Sequence, residues 1–185
     1  MAEKPPPMIR AQILLTRDDF ADRARRRNAR ATLETLLRER VVPVINENDS
    51  VAVEEIRVGD NDTLAALVAV NAEADLLVLW TDVDGLMTRP PRHGRGELIR
   101  RVERISPRIA ALAHGDGGTA DGTGGMHTKI RAARLATAHG VPLLIANGGR
   151  PERLLEGLRG NWFGTLFAAR GRGRGLPQIA TRKLG

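Results

Sequence analysis

Three uninterrupted apolar runs of strand length constrain this chain more than anything else in it: residues 41–45 (VVPVI), 76–80 (LLVLW) and 141–146 (VPLLIA). A strand without polar alternation has no face to give to water, which is the pattern of parallel strands covered on both sides. The segments around these runs carry helical signals. Asp18 and Asp19 open a helix predicted to reach about Arg40, with Phe20, Ala24, Ala31, Leu33, Leu36 and Leu37 on its buried face and its arginines in water. TLAALVAVNAEA, residues 63–74, is apolar almost all round and predicts a buried helix. Ser106-Pro107 starts another by N-cap and first-turn preference, and a helix from about Gly125 to His139 stops at Gly140. Residues 8–15 and 164–167 read as further strands, 51–58 (VAVEEIRV) as a hairpin or edge excursion, and a short helix ends near Leu158. Alternating strands and helices make an α/β fold with a mainly parallel sheet.

Polar clusters follow the strands or begin the helices. They are Asn46-Glu47-Asn48-Asp49-Ser50, Gly59-Asp60-Asn61-Asp62, Thr81-Asp82-Val83-Asp84-Gly85, and Gly122-Thr123-Gly124-Gly125-Met126-His127-Thr128-Lys129. In open α/β sheets ligands bind at the carboxyl ends of strands, so these clusters gather on a ligand-binding edge. Asn and Asp also simply make turns, and that reading stays open for the first cluster. The start of the 63–74 helix is different. Two carboxylates and an amide exceed what capping requires, and a polar ligand or a lysine from elsewhere is their natural partner. In the last cluster, glycines let backbone approach an anion, the helix N-terminus offers free N–H groups, and Lys129 adds a full charge. The spacing is not that of a Walker P-loop, and a glycine-rich loop capping an ordinary helix competes with the phosphate reading.

Composition narrows the classes. The chain has 185 residues, 42% hydrophobic and 28% charged, enough for a packed core. It has no cysteine, which removes disulfides and thiolate metal sites. No apolar run approaches the ~18 residues of a membrane span, and MAEKPPPMIR lacks a signal-peptide core, so the cytoplasm is the expected compartment. The net charge of +7 comes almost wholly from arginine, and with 3% aromatics and no tyrosine there are few platforms for stacking bases. Nucleic acid is therefore not an expected partner, although the run Arg170-Gly171-Arg172-Gly173-Arg174-Gly175 leaves RNA binding open.

The segments VVPVINENDSVAVEEIRVGDNDTLAALVA, LVLWTDVDGLMT, GTGGMHTK and GTLF, in this order, resemble the amino acid kinase family. The pairing of I-N-E-N-D with G-D-N-D resembles its glutamate 5-kinase branch in particular. The resemblance covers residues 11–168, the C-terminal, nucleotide-binding portion of the kinase domain. It implies a three-layer α/β/α fold with a mainly parallel sheet. It implies ATP-dependent phosphorylation of the γ-carboxylate of L-glutamate for proline synthesis, with ATP and Mg²⁺ as cofactors and a homo-oligomer in the full-length family. Asp49 and Asn61 match glutamate-binding residues. Thr81, Asp82, Thr123, Gly124, Gly125, Met126, His127, Thr128 and Lys129 match the ATP site. Lys129 matches the lysine that stabilises the transferring phosphoryl group, and Asp62 the aspartate that organises the catalytic lysines. No residue is assigned as a metal ligand. Such chemistry suits the site, because a carboxylate nucleophile is already ionised at neutral pH and needs positioning and charge stabilisation rather than a base.

The chain also departs from that family. The family's opening strand with its K-x-G-[ST] turn and a later S-G-A turn have no counterpart, and residues 1–10 form a Pro-rich start outside the match. Residues 169–185 are an Arg/Gly-rich linker or tail without the small PUA domain that often follows in the family. Trp80 stands where an aliphatic residue is usual, and Arg89-Pro90-Pro91 replaces an Ala-Asp-Pro loop. The expectation is an N-terminally truncated form with little or no activity in isolation. A different small-acid kinase of the same family, and a non-catalytic nucleotide- or RNA-binding fragment, stay open beside it.

Overall fold

The computed structural model describes residues 8–16, 18–48, 61–89, 96–113, 125–159 and 162–169. The predicted hairpin at 51–58 and the Arg/Gly tail lie outside them. The elements in order are β1 (Arg10–Leu15), α1 (Asp18–Ala21), α2 (Arg23–Arg38), β2 (Val42–Glu47), α3 (Asn61–Asn71), β3 (Leu77–Thr81), β4 (Arg101–Val102), α4 (Pro107–Leu112), α5 (Met126–Ala138), β5 (Leu143–Asn147), α6 (Arg153–Leu158) and β6 (Thr165–Phe167). Strands β1 and β2 pair in parallel as one sheet, and β3-β5-β6-β4 form a second. In the second sheet β3 runs parallel to β5 and β4 to β6, while β5 and β6 are antiparallel. The sheet is mainly parallel, as expected, with the helices on its faces. Among the described residues no helix is long and apolar enough to cross a membrane.

The central strand β5 shows why its sequence is apolar without interruption. Leu143 and Ile145 pack with Ala132, Ala133 and Ala136 of α5, while Leu144 and Ala146 pack with Phe163 and Leu166 on the other face. All four β5 residues are fully buried, so neither face has room for a polar side chain. Gly157 of α6 lies against the Trp162 ring, which places a helix on this second face as well. The result is a three-layer arrangement.

Two expectations are corrected. The helix predicted from Asp18 to about Arg40 is two helices, broken at Asp22, whose extended backbone lets its carboxylate accept from the Arg25 N–H at 2.8 Å. Of the predicted buried face only Phe20 and Leu33 are buried, and Leu37 is exposed, because α2 covers one side of a two-stranded sheet with a narrow stripe. Strand β2 is likewise not buried on both sides. Ile45 faces the cluster of Leu15, Phe20 and Leu64, whereas Val42 and Val44 are exposed on the opposite face with Leu14 of β1.

Two backbone details hold the second sheet to its outer loop. Gly164 has φ +77°, and a Cβ there would lie 2.2 Å from the Ile145 carbonyl oxygen, so only glycine fits. Next to it the fully buried Thr165 Oγ1 accepts from the Leu86 N–H at 2.8 Å, tying β6 to the loop after β3. Gly164→Ala is expected to destabilise the protein by more than about 2 kcal/mol, read as a fall in urea midpoint at unchanged slope.

The Asp22 cap makes a pH prediction. Chiefly the Arg25 N–H, then the Ala24 N–H and the nearby arginine charges, hold its carboxyl below the ordinary value of 3.8. A depressed folded-state pKa contributes stability above the unfolded value and loses it as pH falls through the folded one. Asp22→Ala should therefore lower the Tm at pH 7, and the difference from wild type should shrink as the pH drops below 3.8. An undiminished difference in acid would exclude the cap as its source.

Candidate active site

The N-terminal turns of α3 and α5 meet face to face. Lys129 Nζ, four residues into α5, donates to Asp62 Oδ2 in the first turn of α3 at 3.1 Å. Thr128 Oγ1 lies 2.7 Å from the same oxygen and 2.8 Å from the Gly125 carbonyl. Of the two partners expected for the carboxylates at the start of α3, a polar ligand or a lysine, Asp62 has a lysine, Lys129. Local sequence explains the alignment. Gly125 adopts the extended N-cap conformation, and Met126 and Ile130 anchor α5 in the core, which turns Thr128 and Lys129 toward α3. Arg131 Nε donates to Thr63 Oγ1 at 3.2 Å, a second tie between the same two turns.

This ion pair is largely dry. The Lys129 and Asp62 side chains are 10% and 18% exposed. Desolvating two charges costs several kcal/mol each, and the cost is offset only by good geometry and added hydrogen bonds, here from Thr128. The first turns of two helices also add positive partial charge, which suits the Asp62 carboxylate and any anion that approaches.

The second part of the site lies at the carboxyl ends of β3 and β5, where Thr81 and Asn147 are register partners. Thr81 Oγ1 donates to Asp82 Oδ1 at 3.0 Å. Asn147 Nδ2 donates to Asp84 Oδ1 at 3.1 Å and to the Asp82 carbonyl at 3.3 Å, while its Oδ1 accepts from the Gly149 N–H at 2.9 Å. The Gly148 N–H completes the link by donating to the Thr81 carbonyl at 2.9 Å. Asn147 therefore clamps both strand-end loops. Sequence reasoning passed over it. The available signal was an amide followed by Gly148-Gly149 directly after an apolar strand.

Of the other predicted site residues, Asn61 is exposed at the start of α3, His127 is exposed on α5, and Gly125 has open space where a side chain would stand. Met126 is committed to the core and Thr128 to Asp62. Asp49, Thr123 and Gly124 lie outside the described residues. Among the described residues no group of three or more His, Cys, Asp or Glu gathers in a metal-binding arrangement.

The fold and these strand-end groups define an α/β protein of the class that handles ligands along the carboxyl edge of its sheet. The sequence model described as the amino acid kinase family matches residues 4–147, and the chain belongs to that family. It is 57% identical over 162 residues to glutamate 5-kinase of Deinococcus radiodurans, which covers 87% of this chain and 44% of that protein. It is 52% identical over 167 residues to glutamate 5-kinase of Streptococcus gordonii, covering 90% and 45%. The glutamate 5-kinase of Moorella thermoacetica is 54% identical over 164 residues, covering 88% and 43%. The chain thus spans less than half the length of these relatives. Among solved structures it resembles the product complex of T. acidophilum isopentenyl phosphate kinase, with a TM-score of 0.57, 17% identity, and coverage of 86% of this chain and 60% of that one. That likeness is one of fold.

Removing one partner of the buried pair strands the other charge. Asp62→Ala should destabilise the protein by on the order of 3 kcal/mol, and the double variant Asp62→Ala/Lys129→Met by less than the sum of the singles. Denaturant titration of the four proteins measures the coupling, and strict additivity would show that the two side chains do not interact.

Proposed function

We propose that this chain carries the nucleotide-side portion of a kinase that transfers the γ-phosphoryl group of ATP to the γ-carboxylate of L-glutamate. The observation that carries the reading is Lys129, held by Asp62 at the junction of two helix N-termini. The glutamate 5-kinases of Deinococcus radiodurans and Streptococcus gordonii, at 57% and 52% identity, support the choice of substrate.

In this reading Lys129 draws charge from the phosphoryl group as the bond to the leaving oxygen breaks and the bond to the glutamate carboxylate forms. Asp62 and Thr128 keep the ammonium group from swinging away. Asn61, exposed beside Asp62, and Asp49 take the substrate's carboxylate and ammonium groups. Thr81 and Asp82, with their loop pinned by Asn147, and the segment from Thr123 to Lys129 contact the nucleotide. Among the described residues no cluster of carboxylates or histidines offers a cage for Mg²⁺, which would come with ATP and would supply neutralisation of phosphate charge with few protein ligands. The compartment is the cytoplasm, and the assembled enzyme is a homo-oligomer.

A graft tests the reading without depending on where this chain starts or stops. This segment replaces its counterpart in the Deinococcus radiodurans enzyme, and acyl phosphate is trapped with hydroxylamine. Glutamate-dependent hydroxamate formation is expected, and Lys129→Met should lower kcat by about 10²-fold or more. A folded graft that prefers another acid, or that is indifferent to Lys129→Met, would overturn it.

A further inference from the structure

The two helices that bring Asp62 to Lys129 also share a second feature, toward their other ends. There a cleft of about 380 Å³ opens between α1, α2, α3 and α5. Its floor is hydrocarbon: Phe20 from α1, Leu67 and Val70 from α3, and Leu135 from α5. This size and lining fall within the range of small-molecule pockets.

The rim is polar and unevenly charged. Arg30 lines it too, but its guanidinium is paired with Glu34 and Glu73. Arg26 is in a different position. Among the described residues its guanidinium makes one hydrogen bond, a long one from Nη1 to the Phe20 carbonyl at 3.5 Å, and no carboxylate lies within ion-pair distance of it. Asp22, one turn earlier, feels its field without forming a pair. Most donors of a fork suited to a carboxylate are therefore unspent above an apolar floor. Asn71, only 9% exposed, fixes this wall by donating from Nδ2 to the Arg26 carbonyl at 3.3 Å, and His139 closes the far side with Nδ1 bonded to the Leu135 carbonyl at 2.8 Å.

We propose that this cleft is a second binding site, for a small monocarboxylate with a compact apolar body. The hydrocarbon part of the ligand covers Phe20, Leu67, Val70 and Leu135, and its carboxylate takes the Arg26 guanidinium. The site is separate from the edge that carries Asp62 and Lys129 and does not depend on the kinase reading. Its lining on α3 runs from Leu67 to Asn71, which at the helical rise is about 8 to 13 Å along the helix from Asp62.

The test titrates the purified chain with isovalerate and with benzoate while backbone amide shifts are followed by NMR. Saturable shifts confined to α1, the N-terminal half of α2 and the C-terminal halves of α3 and α5 are expected. Isovaleramide, which keeps the shape and loses the charge, should bind about tenfold or more weakly, as should isovalerate to Arg26→Gln, because a charge-assisted hydrogen bond is lost in each. The amide comparison stands even if the variant does not fold. Absence of saturable shifts, shifts centred elsewhere, equal binding of isovalerate and isovaleramide, or equal binding of inorganic phosphate would each overturn the proposal.

Discussion

The junction of α3 with α5 depends on one ion pair that is costly to keep. A well-packed pair of apolar side chains at positions 62 and 129 would stabilise the junction as well or better, since buried salt bridges rarely repay their desolvation. The chain instead places a lysine and an aspartate there and adds a threonine hydroxyl to the shared oxygen. Everything around the pair limits its freedom: Met126 and Ile130 seat α5, Leu64 and Ala66 seat α3, and Arg131 bonds to Thr63. An ammonium group held this firmly loses little entropy when an anion arrives, which is the condition for charge stabilisation without reorganisation.

The other half of the edge is held by different means. No ion pair joins β3 to β5 at their carboxyl ends among the described residues; an amide does the work through both of its ends. Asn147 donates to Asp84 and to the Asp82 backbone and accepts from Gly149, so two loops from separate strands are tied together. Below them Thr165 bonds to Leu86, and Gly164 permits the approach that puts Thr165 there. The edge is thus rigid on the strand side by hydrogen bonds and on the helix side by charge.

What could be read in advance follows from the kind of force involved. Strand β5 was legible because burial on both faces leaves an unbroken apolar run, and α4 because Ser106 and Pro107 act locally, with Ser106 Oγ accepting from the Ile109 N–H at 3.3 Å. The excess of polar groups at the start of α3 was legible as a demand for a partner, and Lys129 meets it. The break at Asp22 was not, because the same acid serves the first turn of a long helix or the cap of a second one. The exposure of Val42 and Val44 was not either: an apolar run states that a residue is compatible with burial, while the number of layers around it is a tertiary fact. Asn147 was missed for a related reason, since its partners Asp82 and Asp84 lie more than sixty positions away in sequence.

The placement of the two helices makes the edge and the distant cleft mechanically related. Contacts at Asp62 with Thr128 and Lys129 at one end, and the shared lining by Val70, Asn71, Leu135 and His139 at the other, require α3 and α5 to run in the same sense. Parallel neighbours align their dipoles unfavourably, and the positive ends that gather near Asp62 would repel each other without the carboxylate between them. Asp62 thus serves two fields at once, the lysine's and those of the two helix termini. In the proposed kinase reading, an approaching polyphosphate would meet the same positive ends and would compete with Asp62 for Lys129 and for them both. The pair is strong enough to fix the lysine, while its charge remains within reach of a more highly charged anion.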